Sequence, residues 1–538
     1  MDYYKKQKTF KNPIIPGFYP DPSICRVGDD YYLVNSSFEY FPAIPVWHSK
    51  DLVNWKQIGN AIDREEQMLN LDVGVSGGVQ ACTIRYNNGT FYIISTCIRK
   101  EWPRLDYNFI ITAKDPAGPW SEVHYIQDAP GIDSSLFFDD DGKAYFHANR
   151  ERQNGNGGGD TEIWVQEINL DTFELVGQKY SLWNGCGGNF PEGPHIYKRN
   201  SYYYLMIAEG GTCHWHTVTM ARSTNLFGPY ESIPRNPILT HKHLHRTYPI
   251  QNVGHADLVE TQNGEWYMVC LGSRPKGGYY DGGNLIHSFG GYYRNMGRET
   301  FLVPMVWEDE FGPIVSPLTG KVEEEYPLPN LTSYPIPFES GCSHFESDQL
   351  ELCFNTIRNQ KMDFYSLKER KGYLRLKMQP TNITQDDNVS FLGRRQTSWT
   401  FSAATKIEVN LNEYEQVGLT TYLNYKAHTR LFIEKNLGTT YITLIRRFKG
   451  KDVLVAKEEV ANTKCIYLKV DGDEQDYRFY YSVEPSKWCN IGGIVDGRNL
   501  ACDISGGHTG AYIGIFATSN GKPSCNYADF DYFEYVNL

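Results

Sequence analysis

The sequence predicts an all-β protein: a five-bladed β-propeller followed by a β-sandwich domain. Three observations predict it. Five short stretches of one template recur along the N-terminal part of the chain, each leading into an aromatic strand. The tyrosines on which those strands align, Tyr32, Tyr92, Tyr145, Tyr204 and Tyr267, lie 60, 53, 59 and 63 residues apart. That spacing holds four short antiparallel strands and their turns, the content of one blade. No long amphipathic helical pattern interrupts them, and beyond residue 335 strands of period two continue to the C-terminus.

The template reads Asp21-Pro-Ser-Ile, Gln80-Ala-Cys-Thr, Asp133-Ser-Ser-Leu, Glu192-Gly-Pro-His and His255-Ala-Asp-Leu. The gap to the aligned tyrosine is 11, 12, 12, 12 and 12 residues. The turns in between (Gly28-Asp-Asp, Asn87-Asn-Gly, Asp140-Asp-Gly, Arg199-Asn-Ser and Gln262-Asn-Gly) carry the Gly, Asn and Asp of hairpins. Each template is therefore read as the innermost strand of a blade, its first residue at one mouth of a central channel. The expected boundaries are 1–315 for the propeller, 316–335 for a linker and 336–538 for the sandwich. The linker reading rests on Pro317, Pro327, Pro329 and Pro335 and the acidic run Glu323 to Glu325. In the second domain Leu374/Leu376/Met378, Ile407/Val409/Leu411 and Ile466/Leu468/Val470 alternate cleanly, and Asp471-Gly472 reads as a hairpin turn into Tyr477-Arg-Phe-Tyr-Tyr. Such a sandwich serves either as a carbohydrate-binding module or as a structural lid.

Composition narrows the function. A chain of 538 residues exceeds one ordinary core, and 41% hydrophobic with 22% charged residues is the balance of a folded globular protein. A net charge of −12 argues against nucleic acid, an anionic membrane surface or an acidic polysaccharide as partner. No stretch reaches 18 apolar residues, and Met1-Asp-Tyr-Tyr-Lys-Lys-Gln lacks an apolar leader region. The twelve cysteines show no CxxC pairing and read as reduced core residues. A cytoplasmic protein, assembled as a homo-oligomer, is the expectation. Aromatics at 14% fit strand packing and also stacking on sugar faces.

Asp21, Asp133 and Glu192 at one repeat position bring three carboxyl groups to one mouth. Glycoside hydrolysis needs such a set: one protonated acid for the departing oxygen and one carboxylate to activate water or attack carbon. Crowding raises the pKa of the least stabilised group, so acid and base can coexist. Separation across a ring leaves room for water, which favours inversion. A lone Asp-Pro or Glu-Gly-Pro is ordinary turn chemistry; the shared register carries the reading. His255 is either a structural histidine or the ligand of a divalent cation such as Ca²⁺, otherwise held by water, that tunes the acids. His214-Trp-His216 and His241-Lys-His243-Leu-His245 lack acidic or cysteine partners nearby and read as polar loops. No organic cofactor is expected.

At these residues the chain resembles glycoside hydrolase family 43, in particular its β-xylosidases with a C-terminal sandwich. The matching stretches include Asn12-Pro-Ile-Ile-Pro-Gly-Phe-Tyr-Pro-Asp-Pro-Ser, Gly131-Ile-Asp-Ser-Ser-Leu-Phe, Pro191-Glu-Gly-Pro-His, Gly254-His-Ala-Asp-Leu-Val, Gly297-Arg-Glu-Thr-Phe and Ala528-Asp-Phe-Asp-Tyr-Phe-Glu-Tyr. The resemblance implies Asp21 as general base, Glu192 as general acid and Asp133 as the group that raises the acid's pKa and orients it. It implies Arg298 as the arginine on the sugar hydroxyls, with Arg294 as the alternative, Phe38 as an aromatic pocket wall, and His255 as the channel histidine beside a metal ion. Two positions depart from the family pattern: Gln80 stands where an aromatic residue is usual, and His508 follows Gly507 where a phenylalanine is usual. Both exchange stacking surface for hydrogen-bonding groups in the expected substrate pocket. The implied activity is removal of terminal xylose from xylo-oligosaccharides, with α-L-arabinofuranosidase as the alternative within enzymes. A non-catalytic sugar-binding propeller is the alternative of a different class.

Overall fold

A computed structural model describes residues 8–67, 73–100, 106–152, 155, 157–278, 291–337, 341–358, 362–408, 410–461, 463–485 and 487–538. The chain forms two compact units. The first comprises Met1–Phe38, Pro42–Arg274 and Arg298–Ile336; the second comprises Glu39–Phe41, Pro275–Gly297 and Pro337–Leu538.

The first unit is the propeller. Its blades are antiparallel sheets whose innermost strands are Ser23–Val27, Gly78–Asn87, Ser135–Phe138, Glu192–Arg199 and Gln251–Glu260. The inner strand of blade 1 lies beside those of blades 2 and 5, that of blade 3 beside 2 and 4, and that of blade 4 beside 5, so the ring is closed. Each inner hairpin turns through left-handed residues; in blade 2 these are Asn88 (φ 47°) and Gly89 (φ 77°), the primed-turn chemistry that the Asn-Gly pair supplies. Closure is reinforced by the N-terminal segment. Asn12 exchanges two hydrogen bonds with the backbone of Leu302 in blade 5, both 2.9 Å.

The stretch 316–335, expected as a linker, instead belongs to the propeller. Thr9–Lys11 pairs with Glu325–Pro327, and Val322 and Tyr326 are fully buried in the core with Phe10 and Ile15. Its prolines mark a strap held down by apolar burial, not a free connection.

The second unit packs two sheets around one apolar core. One carries Leu374–Lys377, Tyr527–Asn537, Thr400–Glu408, Cys465–Asp473, Asp476–Ser482 and Cys489–Asp496; the other carries Ser390–Arg395, Tyr512–Thr518, Gln416–Asn424, Ala427–Asn436, Thr439–Phe448 and Lys451–Val460. Leu374, Leu376, Met378, Ile407, Leu411, Ile466, Leu468 and Val470 all point inward as their alternation predicts; Val409 lies outside the described residues. The predicted hairpin forms, but its turn is later. Asp473 pairs with Asp476 across Glu474 (φ 51°), and Asp471-Gly472 remain in the strand. Gly472 is there for space: a Cβ would come within 2.2 Å of the Phe401 ring. All twelve cysteines are free thiols, and Cys25, Cys82, Cys97, Cys270 and Cys502 are buried.

Candidate active site

The inner strands begin with a shared backbone irregularity. In every blade one residue with positive φ stands four positions before the partner of the aligned tyrosine: Asp21 (52°), Ala81 (47°), Asp133 (58°), Gly193 (59°) and His255 (44°). In blades 2, 4 and 5 it sits in a bulge where two residues oppose one, as between Glu192↔Ala208 and His195↔Met206. This revises the sequence template. Asp21, Asp133 and His255 are equivalent, but Gln80 and Glu192 stand one residue earlier. The aromatic spacing hid this because the inner hairpins of blades 3 and 5 are one residue longer. Phe137↔Tyr145 and Val259↔Tyr267 lie eight residues apart, against seven in the other blades, so one gap of 12 covers two registers. Glu192 thus enters the mouth from a different backbone position than the two aspartates. The equivalent position in its blade is Gly193, whose N–H donates to Asp133 Oδ2 at 3.0 Å. A Cβ there would stand 3.1 Å from the His255 ring.

Asp21 is 4% exposed and fully engaged. Ser36 donates to its Oδ2 at 2.6 Å, and Arg298 Nη1 donates to Oδ1 at 2.9 Å. Ser36 in turn accepts the N–H of Ala81 at 2.7 Å, so its proton is committed to the aspartate. Asn35 clamps the preceding segment through the carbonyls of Tyr19 and Pro20, both 3.0 Å. Burial works to raise the pKa of Asp21. The charges of Arg298 and His255, the Ser36 hydrogen bond and His216 outweigh it, and the net shift is downward.

Asp133 and Glu192 go the other way. Asp133 is 6% exposed and is pushed up to about 6, first by burial and also by the Asp21 charge, against His255, the Gly193 N–H and Arg298. Glu192 is raised well above the ordinary carboxylate range, first by desolvation, then by Asp133 and Asp21. Among the described residues neither has a side-chain donor as close as those on Asp21. One mouth therefore holds an ionised carboxylate beside a carboxyl that keeps its proton, the division of labour acid–base chemistry needs.

Phe38 is buried, with the Arg298 guanidinium 5.3 Å from its ring centroid. Arg298 Nη1 also reaches Thr212 Oγ1 at 3.4 Å. Of the two candidate arginines, Arg298 lies at the mouth. Arg294 belongs to the second unit, where it is fully buried against Asp503 at 2.6 Å. Gln80 pairs with Thr96, the residue whose Oγ1 accepts the Asp133 N–H at 3.1 Å, and donates through its side chain to Ser76 O at 2.7 Å. His508 belongs to the second unit, just after the short helix Cys502–Ser505.

His255 Nδ1 is 4.0 Å from Asp133 Oδ2. Among the described residues no three His, Cys, Asp or Glu side chains gather as a metal cage. A Ca²⁺ ion bound by six to eight protein oxygens does not fit this donor set; a hydrated ion taking His255 as its one protein ligand does. Of the histidines expected in polar loops, His214, His243 and His245 do lie partly or well exposed in turns or loops, while His216 and His241 are buried. His216 and His241 are each 1% exposed and bonded to the backbone oxygens of Asn252 and Ile250.

Two residues further along each inner strand lies a second ring that the template reading passed over: Ser23, Thr83, Ser135, His195 and Asp257, all buried. Asp257 accepts from Ser23 Oγ (2.7 Å), Ile24 N (3.0 Å), Arg85 Nη1 (2.8 Å) and Tyr197 OH (2.6 Å), among others. Arg85 also donates to His195 Nδ1 at 2.8 Å, and that nitrogen contacts Ser135 Oγ at 3.1 Å. This one network touches all five blades. The signal for it was present in the templates, where the third residue (Ser23, Ser135, Asp257) or the fourth (Thr83, His195) is polar in every repeat.

Residues 10–311 match the family described as Glycosyl hydrolases family 43, and residues 342–536 match the Beta xylosidase C-terminal Concanavalin A-like domain. The chain is 41% identical over 531 residues to a xylosidase/arabinosidase of Butyrivibrio fibrisolvens, covering 97% of this chain and 98% of that protein. It is 39% identical to a non-reducing end α-L-arabinofuranosidase of Bacteroides ovatus, covering 98% and 95%. The crystal structure of xylan β-1,4-xylosidase from Bacillus halodurans superposes with a TM-score of 0.91 at 32% identity, covering 98% of this chain and all of that one. With its paired carboxyl groups at the propeller mouth, the chain belongs to glycosyl hydrolases family 43 and is a glycoside hydrolase.

Proposed function

We propose that the protein is an inverting exo-glycosidase that releases terminal xylose from xylo-oligosaccharides. The observation that carries this reading is the opposite perturbation of Asp21 and Glu192 within one mouth. Asp21, ionised, takes a proton from water as the water oxygen attacks the anomeric carbon. Glu192, protonated, gives its proton to the departing oxygen as the glycosidic bond breaks. The sugar leaves with inverted configuration, and the two carboxyl groups recover their protonation states by exchange with solvent. Asp133 keeps Glu192 protonated by its charge. Arg298 holds Asp21 through a charge-assisted hydrogen bond.

A divalent cation beside His255 belongs to the same proposal. It would add positive charge next to Asp133, and His255 would be its protein ligand. Chelation is expected to lower both turnover and melting temperature, with recovery on adding Ca²⁺; metal-free protein unchanged in both contradicts an essential ion.

The second reading, α-L-arabinofuranosidase, is favoured by the names of the Butyrivibrio and Bacteroides relatives and by Gln80 at the mouth. The deciding experiment is a panel of nitrophenyl glycosides and linear xylo-oligosaccharides with product stereochemistry followed by NMR. Release of α-xylose from β-xylosides is expected. No turnover of nitrophenyl xyloside with full activity on the arabinofuranoside contradicts the primary reading.

A further inference from the structure

The mouth has an aromatic rim on one side. Phe190, two residues before Glu192, is 43% exposed and has φ 56°. A bulky side chain in the left-handed region is strained, and such outliers gather at functional sites. The fold holds this one firmly. Phe190 N donates to Gly159 O at 2.8 Å, and Gly210 N donates to Asn189 O at 2.7 Å. One edge of the ring lies on Gly159, where a Cβ would approach to 2.6 Å; the other edge lies 3.5 Å from where a Gly211 Cβ would stand. Burying the ring elsewhere would relieve both strain and exposure, yet two bare glycine backbones support it with a large part left open.

Its neighbours place it at the mouth. Gly211 precedes Thr212, whose Oγ1 receives the hydrogen bond from Arg298, the partner of Asp21. Trp215, 60% exposed, lies with its backbone carbonyl against Gly210.

We propose that Phe190 is the stacking platform for the leaving saccharide. It is the residue on which the first sugar ring beyond the scissile bond rests while Glu192 protonates the oxygen between them. The proposal rests on the exo-glycosidase reading. A pyranose presents a face of C–H groups that a flat ring covers, and a ring held in place loses little freedom on binding.

The test compares kcat/KM for β-1,4-xylobiose with that for β-xylosyl fluoride, whose leaving group is too small to reach a platform. In Phe190→Ala the disaccharide-to-fluoride ratio is expected to fall at least tenfold. Phe190→Asn, which tolerates positive φ, gives the same fall and separates stacking from backbone strain. Phe190→Tyr retains the parent ratio. A ratio unchanged in the Ala and Asn variants, including an equal loss on both substrates, overturns the platform while leaving the glycosidase reading standing. A parent chain that hydrolyses neither substrate overturns both.

Discussion

Two rings of side chains line the same five strands two residues apart, and they treat buried carboxylates in opposite ways. Asp257, in the inner ring, is completely buried and held well below the ordinary carboxylate range, because Arg85, Tyr197, Ser23 and two backbone N–H groups more than offset its desolvation. Asp133, 6% exposed, and the part-exposed Glu192, at the mouth, have no comparable donors among the described residues and are pushed up. Burial alone therefore predicts neither role. The number and charge of donors decides whether a carboxylate braces the fold or is left poised for proton transfer. Asp21 stands between the two cases, with enough donors to remain ionised but placed at the mouth.

This contrast can be broken at either ring. The largest expected effect is on turnover: Asp21→Ala and Glu192→Ala should each lower kcat for an unactivated xyloside by about 10²–10⁴-fold. Glu192→Ala should leave the melting temperature nearly unchanged, whereas Asp21→Ala also strands the buried Arg298 and should lower it. Asp257→Ala should do the reverse. It strands Arg85 in the channel and should cost about 3–5 kcal/mol of propeller stability in chemical unfolding. Its activity should fall mainly through loss of folded protein.

Smaller effects sharpen the picture. Asp133→Asn should stabilise the protein at pH 7 while lowering activity. The sign follows from linkage: a group with folded pKa of about 6, above its unfolded value near 3.8, binds more protons when folded, so its ionisation costs stability as pH rises across that window. The same substitution removes a negative charge beside Glu192, so the basic limb of the kcat/KM profile should move to lower pH. Ser36→Ala removes a donor from ionised Asp21, and the acidic limb should move to higher pH. A limb that stays fixed while only the melting temperature falls would make Ser36 purely structural.

Much of this was legible in the sequence because a propeller repeats its punctuation. The hairpin turns and the period-two strands of the second unit are local signals, and they placed the blades and sheets. What escaped was set by geometry that leaves no local trace. Glu192 stands 12 residues before Tyr204 where Asp21 stands 11 before Tyr32, the extra residue being its bulge. Asp133 and His255 reach the same 12 through a hairpin one residue longer, so one spacing has two causes that only the register separates. Residues 316–335 look like a linker because proline and charge dominate, yet Val322 and Tyr326 anchor them in the core. Arg294 and Arg298 are four residues apart and chemically alike; only the fold assigns one to Asp503 and the other to Asp21. Asp257 was visible, but a buried carboxylate shows its role only when its donors are seen.

The central claim is that the mouth keeps Glu192 protonated while Asp21 is ionised. ¹³C-carboxyl NMR titration tests it directly, with the two resonances assigned by their loss in Glu192→Gln and Asp21→Asn. The Glu192 signal should titrate well above the ordinary carboxylate range and move down in Asp133→Asn, and the Asp21 signal should titrate below that range. Glu192 and Asp21 titrating together at ordinary carboxylate values would contradict the account.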